Sequence, residues 1–269
     1  MLIETVEVPK YSKIQNVFKR NPDGQLDPRA WANEAFTFLA TAQWIVQEKI
    51  DGTNVRVVWD GHNISFGGRN HLGTDNFHGL LRTHLEEKFG TSDFECLIEQ
   101  TFGETPVILF GEGYGHKIQT NGHAYLPDSP PEGEARFIGF DVMVGRRYLP
   151  TDEGRAALAS LGVPVVKQFE QTRTLPEVIH EMTNALRAAA EKEGNPPAIV
   201  HEGTDREIEG YVVRPAYPMF DHRGNRVIGK VILNDIRKIL AMVEADIEQA
   251  KKDAEAACDM VEIEQLARG

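Results

Sequence analysis

An α+β domain built on antiparallel strands and closed by a helical tail is the fold this sequence predicts. Two observations carry the prediction. Short apolar runs follow one another across tight turns at residues 44–66 and again at 208–233, as in hairpins. Helical periodicities are interspersed among these runs without the regular strand–helix alternation of a parallel αβα sandwich. The main domain is expected over residues 1–240 and a C-terminal amphipathic helix over 241–269.

The elements follow in order. Residues 44–49 and 55–59 read as strands around the Asp51-Gly52-Thr53-Asn54 connection. The Asp60-Gly61-His62-Asn63 turn then leads into extended residues 64–66. Residues 76–89 carry apolar positions at helical spacing and stop at Gly90. Residues 107–110 and 137–144 are apolar enough for buried strands, with a loop rich in Gly, Pro and His across 114–134. Thr151, followed by Asp152 and Glu153, reads as an N-cap with acids in the first turn, starting a helix that stops at Gly162. Thr174 and Glu177 form a capping-box pair for a helix ending at Gly194. Strands at 208–214 and 227–233 flank a turn at 221–225, and residues 235–266 read as one charged helix.

Composition narrows the function classes. The 269 residues are 41% hydrophobic and 26% charged, ordinary for a globular chain and unlike a disordered or fibrous one. No apolar run approaches the ~18 residues of a membrane span. The N-terminus lacks the apolar core of a signal peptide, and Cys96 and Cys258 suit neither a disulfide framework nor a CxxC metal site. A cytoplasmic protein with no membrane partner is expected. The net charge of −12 argues against a generic nucleic-acid binder. Acids crowd residues 244–264, however, so phosphate affinity is expected to be local to the section between Lys49 and Lys238.

The chemistry starts at Glu48-Lys49-Ile50-Asp51-Gly52-Thr53-Asn54. A lysine ending an apolar strand is a costly place for a charge. The bland reading is a surface lysine beside a turn. The sharper reading is an amine made nucleophilic by desolvation and neighbouring cations. Ile108-Leu109-Phe110-Gly111-Glu112 places an acid after a buried strand, Glu209-Gly210-Tyr211-Val212-Val213 places one at a strand start, and Lys230 sits within an apolar strand. Singly, each has a structural account, such as a strand-end acid or a snorkelling lysine.

Taken together and in this order, these segments resemble the covalent nucleotidyltransferases, the superfamily of ATP-dependent ligases and mRNA capping enzymes. The motifs read residues 49–54, residues 66–70 with Arg69, residues 110–112, Phe140-Asp141, residues 209–213 and Lys230. Residues 44–54 (WIVQEKIDGTN), with residues 13–20, are similar to the RNA-ligase branch typified by the second RNA ligase of phage T4 and the trypanosome editing ligases. The resemblance spans roughly residues 10–240 and implies an adenylyltransferase domain. It implies that Lys49 attacks the α-phosphate of ATP and carries AMP, that AMP passes to an RNA 5′-phosphate, and that a 3′-hydroxyl displaces it. Lys230 would touch the α-phosphate and disfavour a second ammonium beside it. Phe140 would stack on adenine, Glu112 hold the ribose, and Arg69 contact phosphate or the 3′-end. Glu48 and Asn54 would lie at the nucleotide, and Glu209 with Asp51 would hold Mg²⁺ (or Mn²⁺) largely through waters.

The expected partner is RNA, as a nicked duplex or broken structured strand, joined by a monomer. Alternatives are a DNA ligase, a capping guanylyltransferase or a non-catalytic nucleotide- or RNA-binding module. The stretch after the last motif is too short for the oligonucleotide-binding barrel of DNA ligases and capping enzymes, which favours a near-minimal catalytic domain. One departure stands out: the last motif commonly carries two lysines, and the second position here is Ile232. Arg237 or Lys238 would have to substitute, or the contact is missing. No P-loop sequence is present, and the nine histidines, His116 and His123 included, show no metal-ligand spacing. Arg146, Arg147, Arg214, Arg223 and Arg226 are candidate phosphate contacts, with solvated charge as the default.

Overall fold

A computed structural model describes the backbone of residues 8–126 and 133–267, with side chains as far as residue 252 except that of Ala124. Residues 127–132 of the expected loop and the side chain of Cys258 lie outside the described residues.

In chain order the first elements are β1 (Gln15–Asn16), β2 (Phe18–Arg20), β3 (Leu26–Trp31), α1 (Glu34–Leu39), β4 (Ile45–Lys49), β5 (Thr53–Trp59) and β6 (Ile64–Gly67). Two helices, α2 (Gly79–Phe89) and α3 (Ser92–Phe102), precede β7 (Val107–Gly115), β8 (Ala135–Val144) and β9 (Arg147–Tyr148). Then come α4 (Thr151–Ser160), α5 (Leu175–Ala190), β10 (Gly210–Arg214), β11 (Gly229–Ile232) and α6 (Leu233–Ala267). The strands form a four-stranded sheet in the order β1-β11-β10-β4, a five-stranded sheet in the order β6-β5-β7-β8-β9, and a separate β2-β3 hairpin. All pairings are antiparallel except β1 with β11.

Both sheets are covered on both faces. Alternation along β5 sends Val55, Val57 and Trp59 toward α2, α3 and α4, where they meet Leu81, Leu85, Phe89, Ile98 and Leu158. Val58 points the other way, into an apolar seam between the sheets with Ile108, Phe110 and Met143 on one side and Val212 and Ile228 on the other. The outer face of the four-stranded sheet, with Val46, Tyr211, Val213 and Val231, packs on Phe36 of α1, Val178 and Met182 of α5, and Ile236 of α6. Each fully buried Leu, Val or Phe contributes roughly 1.5–3 kcal/mol, so these apolar contacts fasten each sheet to its helices and the two sheets to each other.

Several boundaries differ from the sequence reading for visible reasons. The residues 51–54 connection is no hairpin, because β4 and β5 belong to different sheets. A second helix, α3, follows α2 directly; its cap is Thr91, whose Oγ1 accepts from Phe94 N. Thr151 is the first helical residue of α4 and is buried, with Pro150 at the cap, so it makes no capping bond; Asp152 and Glu153 do occupy the first turn. The capping box of Thr174 and Glu177 is formed. Helix α6 leaves the body early: Ile236 and Leu240 pack on the core, whereas residues 241–252 are all exposed. Among the described residues no helix is long and apolar enough to cross a membrane.

Candidate active site

The Ile50-Asp51-Gly52 turn carries the chain from one sheet to the other, so Lys49, at the end of β4, stands at the head of the cleft between them. Glycine is required in that crossing by close approach. A Cβ on Gly52 would lie 2.3 Å from the Gly113 carbonyl oxygen and 2.8 Å from Glu112 Cγ.

Behind this turn lies a cavity of about 390 Å³, within the range of small-molecule sites. The four-stranded sheet supplies one wall. Gln47 pairs in register with Val212 and Val212 with Lys230, so these three and Lys49 share a face. The five-stranded sheet supplies Asn54, Glu112 and Phe140 opposite, while Arg69, exposed just past β6, closes one edge. Val166, Gln119, Arg214 and the segment from Tyr11 to Ile14 also line it.

Electrostatics concentrate at the lysine end. Lys49 Nζ lies 2.6 Å from Glu209 Oε2, and both side chains are only partly exposed. Burial pushes the Glu209 carboxyl up, and the Lys49 charge opposes that shift. Burial likewise raises Glu112, to about 8, against the pull of Lys49 and with the repulsion of Glu209 and Asp51 added. Lys230 is pushed down by burial and by Lys49. The charges of Lys49 and Asp51 thus bear on both Glu112 and Glu209.

Of the residues singled out from the sequence, Lys49, Lys230, Glu112, Asn54, Arg69 and Phe140 line this one cavity. Glu209 joins it through Lys49, and Asp51 acts on Glu112 and Glu209. Glu48 borders the cavity too, yet strand alternation puts its carboxylate on the face opposite Lys49, 2.7 Å from His201 Nδ1. That bond engages one of the two carboxylate oxygens, Oε1. Ile232 lies on the Lys49 face, since both pair with Gly210. Its suggested substitutes do not come to the cavity: Arg237 bonds Glu207 on the outside of α6, and Lys238 is exposed. Lys13 lines the cavity instead. Arg214 and Arg226 are corrected from phosphate candidates to buried partners of Asp141.

Sequence reasoning missed Gln47, Val166, Val212 and Tyr11 as lining residues. Only Gln47 carried a signal, an uncharged polar residue in an apolar strand. Among the described residues no group of three or more His, Cys, Asp or Glu has the arrangement of a metal site by itself.

The raised Glu112 gives a pH expectation. Its carboxyl binds a proton more tightly folded than unfolded, so the folded state holds more protons between the ordinary carboxylate range and about pH 8. Stability must then fall as pH rises through that window, with Glu209 adding in the same direction. Melting temperature should decline from pH 5 to 9, and Glu112→Gln should flatten the decline; an unchanged slope in that variant would assign the effect elsewhere.

A family model described as RNA ligase matches residues 42–232. No curated protein sequence matches the chain. The fold is similar to that of a Naegleria gruberi RNA ligase solved with PPi, with TM-score 0.56 and 16% identity, covering 84% of this chain and 56% of that one. The same ligase as a K326A mutant with ATP and Mn gives TM-score 0.53 and 14% identity over 84% and 63% of the two chains. An archaeal ATP-dependent RNA ligase gives 0.51 and 18% over 85% and 49%. The chain thus spans about half to three-fifths of these structures. With its motifs gathered at one cavity and more than half its length matched, the chain belongs to the RNA ligase family.

Proposed function

We propose that this cavity performs ATP-dependent RNA end joining with AMP carried on Lys49. The observation that carries the reading is the Lys49–Glu209 pair at the mouth of a cavity that also holds Lys230, Glu112 and Phe140. In the first step the Lys49 amine attacks the α-phosphorus of ATP; an N–P bond forms and the P–O bond to pyrophosphate breaks. The amine must first lose a proton, and Glu209 Oε2 is the acceptor 2.6 Å away. Lys230 and Arg69 meet the charge that develops on the phosphates. Phe140 offers the base an apolar face, and Glu112 offers the ribose a hydrogen-bonding carboxyl.

AMP then moves from Lys49 to an RNA 5′-phosphate, and the 3′-hydroxyl of the adjoining strand displaces it to form the phosphodiester. A nicked duplex or broken structured RNA is the expected substrate, joined by a monomer. The clustered carboxylates suit a divalent cation: Glu209 and Asp51 would hold Mg²⁺ or Mn²⁺ through waters and phosphate oxygens. Its contribution when bound is neutralisation of phosphate charge. The related ligase structures with PPi, and with ATP and Mn, support this reading.

Denaturing gels after mixing the protein with α-labelled ATP or GTP and Mg²⁺ provide the test. Label from ATP alone, followed by joining of a nicked RNA duplex, is the expected result. Label from GTP would favour a capping enzyme, joining of nicked DNA alone a DNA ligase, and RNA binding without any label a non-catalytic module.

A further inference from the structure

We propose that Tyr125 is a positioning residue for the first transfer of AMP: it fastens the turn that carries Lys49, so that the amine stays aimed at the bound phosphate. The inference rests on the reading of Lys49 as the nucleophile.

Tyr125 ends a single 3-10 turn, Gly122–Tyr125, between β7 and β8. It is 5% exposed and packs in a small apolar cluster with Ile50, Tyr114, Leu126 and Val166. The Tyr114 ring, on β7, stands edge-on to it at 6.2 Å between centroids. Ile50 is the residue between Lys49 and Asp51, so the ring grips the turn by its buried apolar side chain.

The hydroxyl has a separate task. A phenylalanine would fill this cluster equally well, and a buried hydroxyl is costly unless it finds partners. Tyr125 Oη donates to the Lys49 carbonyl oxygen at 3.4 Å. Burial pushes the phenol up, while backbone N–H groups of Asp51 and Glu209 pull the other way. One oxygen therefore stands where the backbones of the nucleophile, of the acid after it and of its proton acceptor converge.

Neighbouring contacts extend the hold in both directions. The His201 ring lies edge-on to Tyr125 at 5.1 Å, and its Nδ1 is 2.7 Å from Oε1 of Glu48, the residue before Lys49. At the start of the 3-10 turn, Gly122 is buried so closely that a Cβ there would lie 3.5 Å from the Asp51 carbonyl oxygen. Residues 48–51 are thus held from two distant parts of the chain.

The need for such a hold follows from the topology. Lys49 is the last residue of β4, and the chain beyond it leaves that ladder for the other sheet. Ile50 to Gly52 have no strand partner to set their direction. An attacking amine tolerates little drift, since a misplacement of about 1 Å can cost on the order of a hundred-fold in rate.

The test is Tyr125→Phe, which removes one oxygen and keeps the ring. Single-turnover labelling by saturating α-labelled ATP should slow about ten-fold, the worth of one hydrogen bond. The ATP concentration giving half-maximal rate should stay as in wild type, because the hydroxyl does not touch the nucleotide. Joining of a pre-adenylated RNA end, which needs no attack by Lys49, should be nearly unaffected. An unchanged labelling rate would overturn the proposal. Equal slowing of labelling and joining would also overturn it, by marking a general loosening of the cleft, as would a loss that more ATP restores. A wild type that takes no label from ATP would instead bring down the reading of Lys49 beneath it.

Discussion

Lys49→Ala should abolish transfer of labelled AMP to the protein, a loss of at least about a thousand-fold, while leaving the melting temperature almost unchanged. The two halves of that expectation have separate causes. Covalent catalysis has no substitute for its nucleophile, and removing one typically costs several powers of ten. Stability is another matter, because the Lys49–Glu209 pair is partly exposed, at 20% and 26% for its two side chains. Pairs of that exposure contribute about 0–1 kcal/mol. Lys49→Arg sharpens the result: it keeps a cation beside Glu209, Glu112 and Asp51 yet offers no nucleophilic amine at neutral pH. Labelling should be lost in both variants. Labelling that persists in Lys49→Ala would move the nucleophile elsewhere, with Lys230 the next amine on the same face.

The motifs were legible because each chemical group sits at a strand end or in a strand, where an apolar run makes a charge conspicuous. Lys49, Glu112 and Lys230 stood out in that way, and all three line the cavity. What the sequence left hidden was how the sheets pair. Asp51-Gly52 signals a turn, but a turn signal is silent on whether its flanking strands bond to each other. Here β4 pairs with β10 and β5 with β6 and β7, so the crossing opens the cleft that a hairpin would have closed. The Asp60–Asn63 turn, similar in composition, does close a hairpin between β5 and β6. Strands β1 and β2 went unread because two- and three-residue strands leave no period to detect, and β3, six residues long, carries Asp27, Pro28 and Arg29 where an alternating strand would be legible. Glu48 was placed at the nucleoside by its motif, and its bond to His201, far along the chain, is a partner that no local pattern announces.

Asp141, the acid of the Phe140-Asp141 motif, is the residue whose replacement should cost the most stability. It lies on β8, 3% exposed, and accepts hydrogen bonds from Tyr11 Oη at 3.0 Å and from Arg226. Arg214 of β10 places Nη1 3.2 Å from the same oxygen, as an ion pair without hydrogen-bond alignment. Arg226 also stacks on Tyr148, 3.9 Å from the ring centroid. One carboxylate thus ties β8 of one sheet to β10 of the other and to the N-terminal segment. Asp141→Ala would strand two guanidinium groups, 2% and 8% exposed, with no counter-charge. Breaking a buried pair on one side costs about 3–5 kcal/mol, a large part of the 5–15 kcal/mol typical of a folded domain. The expected drop in melting temperature is roughly 10 °C for a chain of this size. Asp141→Asn keeps the shape and one acceptor, and should lose less. Because β8 carries Phe140 and β10 carries Val212, on opposite sides of the same cavity, Asp141→Ala should also weaken ATP labelling at temperatures where the chain is still folded. A variant as stable as wild type would mean the sheets are held by their apolar seam alone, through Phe110, Met143, Val212 and Ile228.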